Sequence, residues 1–384
     1  MMRKHSRAWV ALIIGLGACG GADASVDASD PASDARATSD APIDATLPPD
    51  PCIAAGTCPA GTWINVTPIE MTVPEFGPGP VVADPRHPTD LYTAGGGAGV
   101  WRSTDYGNTW TQINQDIGYV PMGMVLAVAG TEPATVLIAG NKVLHRSTDG
   151  GQTFTDLPND LPAELYSLAI DPADDQHLVS GLHEADGVVE STDGGATWTR
   201  VDGATFPPGG KSWYPFFLDT GDPATTRTSW FAIAQDGGTP VVTRDGGAHW
   251  ATPPGLEGLT HAHGNAQIFQ RGMRVFVPGV GGPGDGVYRS DDGGATFARV
   301  RDGVYSVAWG TATDVYAMWG WACAGCDLGA RFATAPLPGD TWTAPATPPA
   351  LVIGANHVAV TTDGTHDVFV GTMWSTGLWR YVAP

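Results

Sequence analysis

Ser103–Trp110 reads STDYGNTW, and the pattern returns as STDGGQTF at Ser147–Phe154 and STDGGATW at Ser191–Trp198. It recurs as TRDGGAHW at Thr243–Trp250 and SDDGGATF at Ser290–Phe297. A worn copy, APLPGDTW at Ala335–Trp342, keeps Gly339, Thr341 and Trp342. Successive copies start 44, 44, 52, 47 and 45 residues apart, a period that marks an internal structural repeat. Each copy sits between short alternating runs such as Gly99-Val100-Trp101-Arg102 and Trp110-Thr111-Gln112-Ile113. Asp-Gly-Gly between two strands supplies the positive φ angles and side-chain-to-backbone bonds of a tight hairpin. Hydroxyls tie the loop down and the closing aromatic buries itself. On this reading Asp105, Asp149, Asp193, Asp245 and Asp292 are structural residues.

Two further strand-like runs precede each copy, for example Tyr166–Ile170 and His177–Ser180. Four short strands per 44–52 residues are the mark of a β-propeller blade. Six copies predict six blades, and runs at 357–360, 368–372 and 377–381 predict three strands of a seventh. The missing fourth strand is expected at the other end of the chain, where Thr62–Val66 matches the strand after each repeat. The expected fold is therefore all-β: a seven-bladed β-propeller over residues 61–382, its N-terminal strand closing the last blade.

The octapeptide resembles the Asp-box, or BNR repeat, of sialidases, sortilin-type receptors, xyloglucanases and a family of photosystem assembly factors. The sialidase resemblance implies an arginine triad and an early Arg-Ile-Pro motif. Met71-Thr72-Val73-Pro74 stands at the corresponding place without an arginine. Arg102, Arg146, Arg289 and Arg380 share one strand position beside the repeat and read as architectural. A xyloglucanase-like reaction needs two carboxylates across a cleft. Glu184, Asp186, Asp236, Asp285 and Asp327 are candidates, and spacing singles out no pair.

The chain has 384 residues, 19 Lys+Arg against 40 Asp+Glu, and a net charge of −21. With only Lys4, Lys142 and Lys211 as lysines, it offers no basic patch for nucleic acid. Its 52 glycines and 32 prolines argue against a helical protein. Arg3, Lys4 and Arg7 precede a short apolar run from Ala8 to Leu16, the layout of a secretory signal. The run ends in Leu16-Gly17-Ala18-Cys19, which resembles a bacterial lipobox; the plainer alternative is a signal peptide cut after Ala18. The resemblance implies a signal over 1–18 and acylation of Cys19, hence a lipid anchor in a bacterial envelope with the protein extracytoplasmic. Residues 19–51 then read as an acidic tether of Gly, Ala, Ser, Asp and Pro. The four remaining cysteines, Cys52, Cys58, Cys323 and Cys326, read as disulfides in an exported chain, with three connectivities open and neighbour pairing the simplest. A redox Cys323-Ala-Gly-Cys326 motif and a four-cysteine zinc site are weaker alternatives.

In such blades the repeats lie at one end, and the loops between second and third strands lie at the other with the inter-blade connections. The latter end collects Trp213, Tyr214, Trp319, Trp321, Trp374, His183, Glu184, Asp186, Asp236, His261, His263, Asn265 and Asp327. Aromatic rings beside carboxylates and amides suit sugar recognition. The alternative is that about half of those aromatics pack between blades. His261 and His263 read first as structural histidines, and otherwise as half a metal site or an acid–base pair. The expected ligand-binding set is Trp213, Tyr214, Asp236, His261, His263, Trp319, Trp321 and Trp374, with no metal or cofactor. The expected function is a monomeric module that holds a glycan or an extracytoplasmic protein. The alternative is an exo-acting glycosidase or a polysaccharide lyase.

Overall fold

The repeated hairpins order the chain into antiparallel sheets, all but the last built entirely from strands consecutive in sequence. The computed structural model describes residues 47–383, apart from 74–76, 96–98, 118–122, 141, 260–266, 280–285, 303–305, 311–313, 319–331, 337–354 and 374–375. After β1 (Trp63–Asn65), the first sheet runs β2 (Val81–Ala83), β3 (Leu91–Gly95), β4 (Gly99–Ser103), β5 (Thr111–Asn114). The second is β6 (Leu126–Ala129), β7 (Thr135–Ala139), β8 (Val143–Ser147), β9 (Thr155–Pro158). The third is β10 (Ala169–Asp171), β11 (Asp174–Gly181), β12 (Val188–Ser191), β13 (Thr199–Arg200). Three strands follow in β14 (Lys211–Phe217), β15 (Trp230–Asp236) and β16 (Val241–Thr243), then four in β17 (Phe269–Arg271), β18 (Arg274–Gly279), β19 (Gly286–Ser290) and β20 (Ala298–Asp302). A three-stranded sheet, β21 (Ser306–Trp309), β22 (Asp314–Met318) and β23 (Phe332–Pro336), precedes β24 (Ala355–Thr362), β25 (Asp367–Met373) and β26 (Gly377–Val382).

The fold is an all-β β-propeller. Strands of the first, second, third, fourth, fifth and last sheets face one central cavity of about 510 Å³. The sheet β21–β23 lies beside β17, β18 and β24, and no described residue of it is part of that wall. Two glutamines on the fifth sheet's entry act as extra backbone. Gln267 donates to Val358 O at 2.6 Å and accepts from Val358 N at 2.9 Å. Gln270 does the same for Asp219, at 2.6 and 2.9 Å. Amide side chains thus satisfy strand edges that carry no ladder partner there.

The sequence-distant closure is present. β1 joins the last sheet as its outer strand, with Trp63, Ile64 and Asn65 opposite Tyr381, Arg380 and Trp379. Trp63 and Tyr381 pack at 5.1 Å between ring centroids.

The loops at Ser103, Ser147, Ser191, Thr243 and Ser290 share one set of bonds. Each hydroxyl donates to the aspartate two residues on, at 2.7–2.9 Å, and accepts the fifth residue's N–H at 2.8–3.0 Å. The second carboxylate oxygen takes the Thr hydroxyl at 2.6 Å in four loops, and the His249 ring at 2.7 Å in the other. These bonds favour the carboxylate. The Thr153 hydroxyl holds Asp149 down at about 2, and the His249 ring holds Asp245 there too. Glycine at the fifth position answers two demands. Gly195 has φ +96°, and a Cβ there would lie 2.0 Å from Leu144 Cδ2 of the preceding sheet.

The strand arginines then stitch neighbouring sheets. Arg102 donates to Gly150 O at 3.4 Å and Arg146 to Gly194 O at 3.3 Å, each the fourth residue of the next loop. Arg380 makes the same bond across the closure, to Tyr106 O at 3.0 Å. The architectural reading is thereby explained for Arg102, Arg146 and Arg380, while Arg289 pairs with Asp291 beside its own strand at 2.9 Å.

Candidate functional site

At the end opposite the repeated loops, the described turns after β7 and β11 differ. β7 and β8 turn tightly, with Gly140 N donating to Val143 O at 2.8 Å and Lys142 at φ +56°. β11 and β12 are joined by a longer loop, residues 182–187, and here polar side chains converge.

Glu164 sits on the segment entering the third sheet, where Leu165 bridges Leu182. That bridge brings Glu164 against His183 twice. The His183 N–H donates to Glu164 O at 2.9 Å, and its Nδ1 lies 2.6 Å from Glu164 Oε1. The His183 ring stacks on Tyr166 at 4.4 Å and 6°, which fixes the plane in which its nitrogens point. Both members keep an exposed fraction, 25% for the His183 side chain and 16% for Glu164. The next residue, Glu184, has φ +50°, and Ser212 across the loop has φ +52°. These two conformations support each other: Glu184 N donates to Ser212 Oγ at 2.9 Å, and Ser212 N to Ala185 O at 3.0 Å. A non-glycine residue held in the left-handed region costs on the order of 1–3 kcal/mol, and such positions cluster at binding and catalytic sites. Glu164, Glu184 and Asp186 make the surroundings acidic. The nearby Arg200 is already engaged by Asp202, with Asp186 at 3.5 Å. An imidazole held by a carboxylate can accept or donate one hydrogen bond to a ligand, or move a proton.

Of the residues expected from sequence, Trp213 is corrected. It is fully buried, its indole N–H donates to Gly210 O at 3.0 Å, and Phe206 packs edge-on at 4.6 Å. It is a core residue, because strand alternation turns its side chain between sheets beside Trp230 and Val188. Tyr214, its neighbour on β14, is 3% exposed and takes part in the central cavity wall, its hydroxyl accepting from the Gln235 amide. Asp236 ends β15 opposite Lys211 and is placed by its backbone alone. His261, His263, Trp319, Trp321 and Trp374 lie outside the described residues, as do Cys19, Cys323 and Cys326. Cys52 and Cys58 form a disulfide, the neighbour pairing. Among the described residues no group of three or more His, Cys, Asp or Glu could hold a metal ion.

Sequence reading missed Glu164 and Tyr166 as partners of His183. They lie 19 and 17 residues upstream of it, and only the strand bridge brings them together. The central cavity is a separate feature, with Val82, Val128, Ile170, Phe216 and Val360 on its wall.

No family model matches the chain. A xyloglucanase, Xgh74A of Acetivibrio thermocellus, is 32% identical over a segment that covers 31% of this chain and 16% of that enzyme. The chain thus spans about a sixth of that relative's length. Among solved structures, the GH74 xyloglucanase from Xanthomonas campestris superposes with TM-score 0.56 and 18% identity, over 83% of this chain and 53% of the enzyme. YCF48 from Cyanidioschyzon merolae gives TM-score 0.54 and 17% identity, over 84% of this chain and 99% of that one. YCF48 bound to D1 peptide gives 0.51 at 15% identity, over 84% and 97%. At these identities the likeness is one of fold.

Proposed function

We propose that this protein is a binding propeller whose ligand end lies opposite the repeated loops. The observation that carries the reading is the His183–Glu164 pair, partly open and stacked on Tyr166, beside two residues in left-handed backbone. The repeated-loop end, by contrast, spends its polar atoms internally. The acidic rim and the net charge of −21 favour a neutral or cationic ligand, so a neutral glycan or an extended protein segment fits better than an anionic sugar. A peptide-bound structure of YCF48, a propeller of similar fold, supports the second option by analogy only.

The same reading extends to features of the sequence. We take the loops as Asp-boxes, and β21–β23 as one of seven blades in a closed ring; the presence of seven sheets among the described residues supports this. We take residues 1–18 as a lipoprotein signal, Cys19 as the acylated anchor of a bacterial envelope protein, and the acidic stretch after it as a tether that ends before Pro48, since Pro48 and Asp50 are held on the propeller rather than free as the expected bound of 51 implied. Trp319, Trp321, Trp374, His261, His263 and Asp236 remain proposed contributors to the ligand end, whereas Tyr214, nearly buried within β14, is withdrawn from it. A glycan array run beside chromogenic glycosides and a peptide array tests the reading. Binding without turnover, lost in His183→Ala and Glu164→Ala, is the expected result. Turnover lost in the same variants establishes a glycosidase instead, and binding that survives both removes the site.

A further inference from the structure

Arg380 is the most buried of the stitching arginines, with 1% of its side chain exposed. Its equivalents find their carboxylates in or beside the strands: Arg102 pairs with Asp90, just before β3, and Arg146 with Asp175 on β11 at 2.7 Å. Arg380 takes its carboxylate from outside the sheets, from Asp50, which is itself fully buried. Asp50 also accepts the N–H groups of Cys52 and Ile53, at 3.0 and 3.2 Å, at the start of the short helix Pro51–Ala54. The disulfide Cys52–Cys58 folds this segment back, and Arg380 Nη1 lies 3.1 and 3.3 Å from its two sulfurs. Tyr106 adds a hydroxyl bond to Pro48 O at 2.6 Å. Residues 48–58 therefore touch both sides of the closure, Arg380 on the last sheet and the Tyr106 loop on the first.

We infer that residues 48–58 are a redox-dependent clasp on the propeller's closure, with Cys52–Cys58 as its modification site. The disulfide holds Asp50 at Arg380, and burial leaves that guanidinium no other described carboxylate. A dithiol reductant opens the bond by exchange. One thiolate attacks a sulfur to form a mixed disulfide, and the reductant's second thiol closes it. The reductant leaves as its disulfide, and Cys52 and Cys58 gain two electrons and two protons as thiols. Free of the cross-link, the segment gains conformational entropy and releases Asp50. Arg380 then stays buried without its counter-charge, so the pairing of β1 with β26 loosens while the third sheet keeps its order.

Amide hydrogen exchange read by mass spectrometry on the full chain, with and without dithiothreitol, tests this. After thiol titration confirms reduction of Cys52 and Cys58, exchange at 61–66 and 377–382 should accelerate by about tenfold or more, with 169–191 unchanged. Cys52→Ser/Cys58→Ser should show the fast pattern without reductant. Asp50→Asn, which keeps the disulfide, should show it as well and serves if the double variant fails to fold. Unchanged exchange at the closure after verified reduction, uniform acceleration throughout the chain, or a silent Asp50→Asn would each overturn the clasp.

Discussion

The two ends of the propeller are built on opposite plans. At one end, the five regular loops repeat the same bonds to within 0.2 Å: hydroxyl to aspartate, backbone to hydroxyl, threonine or histidine to aspartate. Both carboxylate oxygens are engaged, and the fifth-position glycine presses on the preceding sheet. At the other end, the two described turns after β7 and β11 differ, and the second gathers a His–Glu contact, a stacked ring and two unusual backbone angles. Substitution at the first end should therefore appear as stability, and at the second as binding. The lesson is that repetition in sequence marks what the fold needs, and departure from it marks where a ligand can be read.

The closure between the last and first sheets is where the stability side of that contrast should be largest. Arg380→Met or Asp50→Ala leaves a buried partner uncompensated, and urea denaturation should show a loss of about 3–5 kcal/mol. Trp213→Ala sharpens the comparison from inside. As a core side chain it should cost about 3–5 kcal/mol by the same measurement, whereas a ligand platform there would cost binding with little stability.

His357 offers a pH test of the closure's neighbour strand. It is 2% exposed, neither ring nitrogen has a hydrogen-bond partner among the described residues, and burial pulls its pKa from 6.5 to about 3. The unfolded chain then binds a proton that the folded one refuses. Its contribution is intact above 6.5 and is lost as pH falls toward 3, by at most about 1.4 kcal/mol per pH unit. Denaturation midpoints taken from pH 7 to pH 4.5 should fall in the wild type and flatten in His357→Leu.

Smaller effects separate the two ends directly. Asp149→Ala removes bonds to Ser147 and Thr153 and should cost about 1–2 kcal/mol while leaving ligand binding intact. His183→Ala should change stability by less than about 1 kcal/mol, since its contact with Glu164 is partly exposed, yet abolish binding on the arrays. Equal losses of binding in both variants would erase the distinction between the ends.

Much of the architecture was legible because the interactions that build it are short in sequence. Ser147, Asp149, Gly151 and Thr153 bond within seven residues, so their types and spacing declare the hairpin. The strand 62–66 could be matched to its equivalents by pattern, and β1 does pair with β26. The site was less legible. Trp213 and Tyr214 are adjacent and similar in type, but alternation along β14 sends them into two different buried clusters, Trp213 beside Trp230 and Val188, and Tyr214 beside Tyr166 and Val275. His183 was visible as a polar loop residue; Glu164 and Tyr166, on the segment before β10, carried no signal that they would meet it.

The sequence by itself determined the all-β class, the repeat period, the hairpin chemistry of the aspartates and the acidic charge, because each depends on neighbours along the chain. Only the tertiary structure decided which sheets share the central cavity, that Arg380 draws its carboxylate from Asp50, and that Glu164 meets His183. Those contacts join segments up to 330 residues apart, and their partners are selected by burial and the closing of strands upon one another, which residue order alone does not state.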